Sequence, residues 1–285
     1  MLLHCKERIF STHCFSIPYR RGVAPRSDFC LSAVDPLITS WLDALERRHL
    51  ADLTMSEVAR ALRALSSCYV ERRAKLTEGG ALSSAGKRAA FALFYGPQHL
   101  LVTREILEAL PTATEKITDV IDLGCGTGAS GAAWTLAVGA RSIRGFDRHP
   151  WAIAEASWTY RQFHLHNRVI QANIAASGTT RTVLNARRGT AILAAYAANE
   201  LAPHGRALLL TSLLEAHAEG ARVLVVEPIA RRALPWWADW QIAIERAGGR
   251  ADEWRFPADL PPTQRALARA AGLDPRELTA RSLFL

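Results

Sequence analysis

An α/β fold, with a mostly parallel sheet entered through a helical N-terminal region, is predicted from three features of this 285-residue chain. From Asp35 to about Leu110 apolar residues recur at helical spacing. After Pro111 short apolar runs alternate with helical stretches, as in sheets whose strands are covered by crossover helices. One of those runs opens into a loop with three glycines at alternate positions, the place where such sheets hold ligands. With 49% hydrophobic residues the chain can bury a sizeable core and still carry an appendage to one nucleotide-binding sheet.

Taken in order, residues 1–30 read as a poorly ordered leader. Lys6, Glu7 and Arg8 interrupt its apolar start, so it lacks the sustained apolar stretch of a secretory signal. Residues 31–115 read as a helical cap. Val58, Leu62, Leu65 and Tyr69 share one helix face, Ser56 is placed to cap that helix, and Glu78-Gly79-Gly80 breaks the chain before another helix near Ser83. Tyr95-Gly96-Pro97 reads as a second break, with helix resuming from Gln98 to Ala109. Residues 116–285 form the sheet domain, with strands at Val120 to Leu123, Ser142 to Asp147, Arg168 to Ala172, Ala191 to Ala195, Arg222 to Glu227, Gly249 to Phe256 and Thr279 to Leu285. Helices are expected from near Gly128, Pro150, Pro203 and Leu234, with a shorter one over Thr263 to Ala271. The sum is a Rossmann-like, seven-stranded, mostly parallel sheet.

Composition excludes several classes. No uncharged apolar run approaches the roughly 20 residues of a membrane-spanning helix, so no membrane partner is expected. Cys5, Cys14, Cys30, Cys68 and Cys125 show neither zinc-site nor redox spacing, which predicts no metal and fits a reducing cytoplasm. The net charge of +8 suits an anionic partner such as RNA. Lysine occurs only at positions 6, 75, 87 and 116, so a general preference for arginine accounts for the same pattern.

The chemistry sits in Val120-Ile121-Asp122-Leu123-Gly124-Cys125-Gly126-Thr127-Gly128. Glycines let the backbone turn sharply and a ligand approach without Cβ interference. The dinucleotide fingerprint has G-x-G-x-x-G spacing; here it is G-x-G-x-G. Asp122, two residues ahead, suits a ligand bearing an ammonium group and would repel a pyrophosphate. A second acid, Asp147, ends the next strand, where a carboxylate accepts from paired ribose hydroxyls, or else caps the helix that follows Arg148-His149-Pro150. Cys125 fits as a small residue in the loop. The D-x-G-x-G-x-G arrangement resembles motif I of class I methyltransferases, which implies S-adenosyl-L-methionine as cofactor. Arg148, beside Asp147, joins the expected cofactor-binding set of Asp122, Gly124, Cys125, Gly126, Gly128 and Asp147.

Three further positions are read against that resemblance. Asn173 follows the third strand, where the family often has an Asp facing the adenine amine; its amide oxygen can accept there, or Asn173 forms an ordinary turn. Tyr196 ends the fourth strand and can pack against the cofactor, while Asn199 and Glu200 can orient an acceptor or simply start a helix. The Asn-Pro-Pro-aromatic signature of exocyclic-amine methylation is absent there. Tyr95 and His99 lie ahead of the first strand within reach of the cofactor, and Glu227 follows the fifth strand on the acceptor side. Each also has a purely structural reading, and no residue is assigned as catalytic.

Ala194-Ala195-Tyr196-Ala197-Ala198-Asn199-Glu200-Leu201 and Val225-Val226-Glu227-Pro228 resemble a family of methyltransferase-like proteins associated with the small subunit of bacterial-type and mitochondrial ribosomes. Ala61 to Val70 and Arg88-Ala89-Ala90-Phe91 are similar to its helical front end. The resemblance implies RNA of the small subunit as acceptor; an RNA substrate would make Arg181, Arg187 and Arg188, before the fourth strand, phosphate contacts, and otherwise they form a solvated loop. It does not extend to the cysteine cluster of the mitochondrial branch, since no cysteine follows Cys125. Two other functions fit the same residues: a non-catalytic, cofactor-binding ribosome assembly factor, and a small-molecule methyltransferase. A nicotinamide oxidoreductase shares the sheet but leaves Asp122 without a role.

Overall fold

A computed structural model describes residues 35–71, 82–114, 116–229, 234–273 and 275–285. The expected leader, with Cys5, Cys14 and Cys30, and the Glu78-Gly79-Gly80 break lie outside the described residues, as do the side chains of Cys68 and Tyr69.

Among the described residues seven strands form one sheet: β1 (Asp119–Leu123), β2 (Ser142–Asp147), β3 (Asn167–Gln171), β4 (Thr190–Ala195), β5 (Arg222–Glu227), β6 (Arg250–Pro257) and β7 (Glu277–Phe284). Their order is β3-β2-β1-β4-β5-β7-β6. The first five are parallel, and β7 lies antiparallel between β5 and β6. This is the Rossmann-like, mostly parallel sheet the sequence predicts, with strand limits moved by no more than two residues. The chain reverses order on either side of β1 and β4, so the carboxyl ends of those strands open a crevice where ligands bind in this architecture.

The alternation of side chains feeds two cores. Val120, Ala191, Leu193, Leu224 and Val226 face one side, which they share with the N-terminal helices. Ile121, Leu123, Ile192, Ala194, Val223 and Val225 face the other, under α7 (Ser177–Leu184), α8 (Pro203–Ala218) and α9 (Trp237–Arg246). The first core runs without interruption from α1 (Pro36–His49) and α2 (Met55–Glu71) through α5 (Ala129–Val138) and α6 (Pro150–Gln162) to α10 (Pro262–Ala270). Cap and sheet therefore share one apolar interior.

Several local expectations are corrected. Helix α2 is capped by Thr54 rather than Ser56. Thr54 Oγ1 accepts from the Glu57 amide at 3.3 Å, and Glu57 Oε2 accepts from the Thr54 amide at 2.8 Å, a reciprocal capping box. Helix α9 begins at Trp237 rather than Leu234. A helix was not expected before β4, yet α7 fills that crossover. The supposed break at Tyr95-Gly96-Pro97 is no break at all. The backbone stays right-handed helical from α3 (Ala85–Ala90) through a π turn (Phe91–Tyr95) into α4 (Gly96–Ala109). Gly96 N–H reaches back five residues to the Phe91 carbonyl. Pro97 has no N–H for a regular ladder bond and its ring crowds the preceding turn; one extra residue per turn relieves both.

Candidate functional site

The glycine loop leaves β1 and enters α5 at the carboxyl edge of the sheet. Gly124 and Gly128 have φ of +69° and +79°, a region that side chains rarely adopt. A Cβ at Gly124 would collide with that of Ala197, and one at Gly128 would lie 2.9 Å from the Tyr160 ring. Between them Gly126 lines the cavity, where a Cβ would make only ordinary contacts, at 3.6 Å with Phe91 and 4.0 Å with the Gly124 carbonyl. The Gly124 and Cys125 amides both donate to the Phe146 carbonyl, at 2.8 and 3.0 Å, which ties the loop to β2. The loop borders a cavity of about 660 Å³, within the usual range of small-molecule sites.

Asp122 and Asp147 both line this cavity. Asp122 is 2% exposed, and the Tyr160 hydroxyl donates to its Oδ2 at 2.8 Å. Burial pushes its carboxyl up to about 7, although the Tyr160 hydrogen bond pulls the other way and nearby Asp147 adds to the rise. Asp147 Oδ2 accepts from the Gly126 amide at 3.0 Å, and Oδ1 accepts from the His149 amide at 2.9 Å. The cap of α6 is His149, whose Nδ1 accepts from the Trp151 amide at 3.1 Å. A carboxylate offers about four acceptor positions, so Asp147 keeps capacity for ligand hydroxyls. Cys125 is 7% exposed, and burial beside the two carboxylates raises its thiol well above the ordinary range, leaving it an inert filler.

The other expected residues gather around the same space. Asn173 lines it, but its Oδ1 accepts from the Ala175 amide at 3.0 Å, so the turn-forming role is realised. Arg148 and Glu200 reach each other at 3.6 Å from the ends of β2 and β4. Glu200 keeps 35% side-chain exposure; burial lifts its carboxyl to about 7 against the pull of Arg148. The Asn199 amide donates to Glu227 Oε1 at 3.0 Å, and Glu227 itself is fully buried. Glu227 therefore also holds the turn after β4.

An aromatic wall closes the side next to the cap. Tyr196 stacks on His99 with ring centroids 4.0 Å apart and planes 15° from parallel. Tyr196 also holds φ at +58°, a strained value for an aromatic residue, while its amide donates to the Val226 carbonyl at 2.7 Å. Burial lowers His99 to about 3, so its ring is neutral, and burial raises the Tyr95 and Tyr196 hydroxyls. Phe91 packs edge-on against both His99 and Trp151.

The structure thus brings every expected cofactor and acceptor residue to one cavity except Gly128, which shapes the loop from behind against Tyr160, while Arg181, Arg187 and Arg188 lie exposed away from it. Phe91, Gln98 and Thr127 also line it and were not anticipated. Phe91 had a signal, since 91, 95 and 99 repeat every four residues along one helical path. Tyr160 had none, being 38 residues from its partner Asp122. Among the described residues, no group of three or more His, Cys, Asp or Glu is arranged to hold a metal ion, and no helix is long and apolar enough to cross a membrane.

A family model described as methyltransferase small domain matches residues 101–184, from within α4 to the end of α7. That segment contains the glycine loop, Asp147 and Asn173. No curated protein sequence matches the chain. Similar solved structures include the methyltransferase domain of a bacterial CtHen1 protein, at 14% identity over 66% of this chain and 96% of that one, with a TM-score of 0.44. An rRNA methylase from Streptococcus thermophilus is 12% identical over 63% of this chain and 93% of its own, with a TM-score of 0.43. A SAM-dependent methyltransferase from Aquifex aeolicus is 13% identical over 62% and 86%, with a TM-score of 0.39. The family match, over less than a third of the chain, supports a methyltransferase domain in that segment, set within the Rossmann-like sheet.

Proposed function

We propose that the protein is an S-adenosyl-L-methionine-dependent methyltransferase acting on ribosomal RNA of the small subunit. The observation that carries the first half is the pair Asp122 and Asp147 lining one cavity together with Gly126, whose amide donates to Asp147. That arrangement fits a ligand with an ammonium group at one end and a diol further along, and the bare backbone at Gly126 lets it lie close. When bound, the cofactor supplies an electrophilic methyl carbon and its own leaving group. The chain's residues bind and align. Asp122 offers negative charge toward the amino-acid end, Asp147 accepts from the ribose, and Tyr196 with His99 makes a flat wall against which the methyl group and an acceptor are held in line.

Support for RNA is the +8 charge and the exposed Arg181, Arg187 and Arg188 on and after α7. Arg187 spends part of its charge on Glu219, at 3.7 Å. A second reading, a cofactor-binding assembly factor without turnover, draws on His99. A ring held near 3 is too weakly basic to take a proton from an acceptor at neutral pH.

Calorimetry with S-adenosyl-L-methionine tests the common premise; folded protein that does not bind at millimolar ligand sinks both readings. A labelled-methyl assay then compares small ribosomal subunits with a metabolite pool. Incorporation into rRNA is the expected result. Label only in metabolites makes the protein a small-molecule methyltransferase, and no label in either, with cofactor bound, makes it a binder.

A further inference from the structure

We propose that Tyr160 is the positioning residue of the cofactor site, its hydroxyl holding the Asp122 carboxylate in the orientation and charge state that receive the cofactor's ammonium group. The inference rests on the methyltransferase reading above and adds a residue to it. Tyr160 lies on the buried side of α6 and is 0% exposed, and its hydroxyl meets Asp122 Oδ2 at 2.8 Å. Three elements make room for this contact by lacking side chains. A Cβ at Gly131 of α5 would strike Asp122, one at Gly145 of β2 would lie 3.2 Å from the Tyr160 hydroxyl, and one at Gly128 would press on its ring. The pair sits under the loop, and Asp122 reaches the cavity from there.

The charged and titratable surroundings of Asp122 leave Tyr160 as its chief support. Cys125 from the loop and Asp147 from β2 are the other titratable neighbours, and both oppose a negative charge at Asp122 or gain nothing from it. Helix α5 contributes only the Gly131 backbone, having no charged side chain, and the facing residues of β4 are apolar. Glu155, also on α6, is turned to Arg48 and His49. A donor to a buried carboxylate favours its ionised form. Deleting that donor should raise the pH at which Asp122 ionises and so the pH at which the ammonium-bearing ligand binds tightly.

The test is the affinity of S-adenosylhomocysteine from pH 5.5 to 8.5, by calorimetry, for the wild type, Tyr160→Phe, Asp122→Asn and the double variant. 5′-Methylthioadenosine, which lacks the amino-acid end, is the control ligand. Wild-type affinity for S-adenosylhomocysteine should rise with pH around 7, where Asp122 ionises. In Tyr160→Phe the rise should move up by about one unit, so affinity near pH 7 falls roughly fivefold and recovers at the alkaline end. 5′-Methylthioadenosine should show no such shift, and in the Asp122→Asn background Tyr160→Phe should change nothing further. An equal loss at every pH, or an equal loss for both ligands, makes Tyr160 a packing residue and overturns the proposal. Failure of the wild type to bind either ligand overturns the methyltransferase reading instead.

Discussion

Asp122 is held in a conflict between stability and use. Its carboxyl is raised from 3.8 to about 7 at 2% exposure, so the folded protein prefers it protonated. A carboxyl whose folded value exceeds its unfolded one contributes stability fully at acid pH and loses it as pH climbs toward 7. The loss is on the order of 4 kcal/mol. Asp122→Asn, which keeps an acceptor for Tyr160, should therefore melt at a higher temperature than the wild type at pH 8. The two should converge near pH 4, while the variant binds S-adenosylhomocysteine more weakly. Calorimetric melts at both pH values check the sign, and a lower melting temperature at pH 8 would refute it. Gly124 makes the complementary case for backbone. Gly124→Ala must accept φ +69° and a collision with Ala197, so it should lose about 1–3 kcal/mol of stability. Denaturant unfolding reads this directly.

Elements show where sequence reasoning reached and where it stopped. The central strands are legible because burial on both faces writes a continuous apolar run, as in Arg222–Glu227 with its four central Leu and Val residues, while β6 shows itself by alternation. The loop was legible because its acids and glycines are neighbours along the chain. Helix α7 was not: S-G-T-T-R-T-V-L carries a glycine and three threonines, poor helix formers, and tertiary packing on α8 decides its structure. The π turn was misread as a break because Pro97 signals the same thing in both cases. Its consequence is functional, since it aligns Phe91, Tyr95 and His99 on the cavity. The anchoring of α1 on α6 was equally hidden. Glu155 is 0% exposed and accepts from Arg48 at 3.2 Å, while His49 Nε2 lies 2.7 Å from its other oxygen. Glu155 lies more than 100 positions along the chain from both of its partners. Glu155→Gln should lower stability by about 1–3 kcal/mol, with the exposed Arg48 contributing the smaller share. If unfolding in urea shows no change, α1 is held by Trp41 and its apolar neighbours alone.

At the scale of the whole molecule, charge and cavity divide the work. The cavity lining holds Asp122, Asp147, Glu200, Glu227 and Glu277, against Arg148 already engaged with Glu200. An RNA phosphate is thus unwelcome inside, and the backbone of an RNA acceptor belongs on the outer surface with only a base admitted. On the proposed rRNA reading, binding of small-subunit rRNA should weaken steeply with salt. Arg181→Ala and Arg188→Ala should each lower the slope of log affinity against log salt by about one for a lost phosphate contact. Filter binding between low and physiological salt checks this; slopes unchanged in both variants would move the RNA surface elsewhere.

The place of β7 between β5 and β6 bears on how the protein is made. A ribosome delivers β6 before β7, yet β6 has no seat in the sheet until β7 has paired with β5. During that interval Val223, Val225 and their neighbours form an open sheet edge, and Trp254 and Phe256 wait without the wall they finally pack on. The nascent chain can complete its five parallel strands early, but closing the sheet is a late event, and the moments before it are when the chain is most exposed to mispairing.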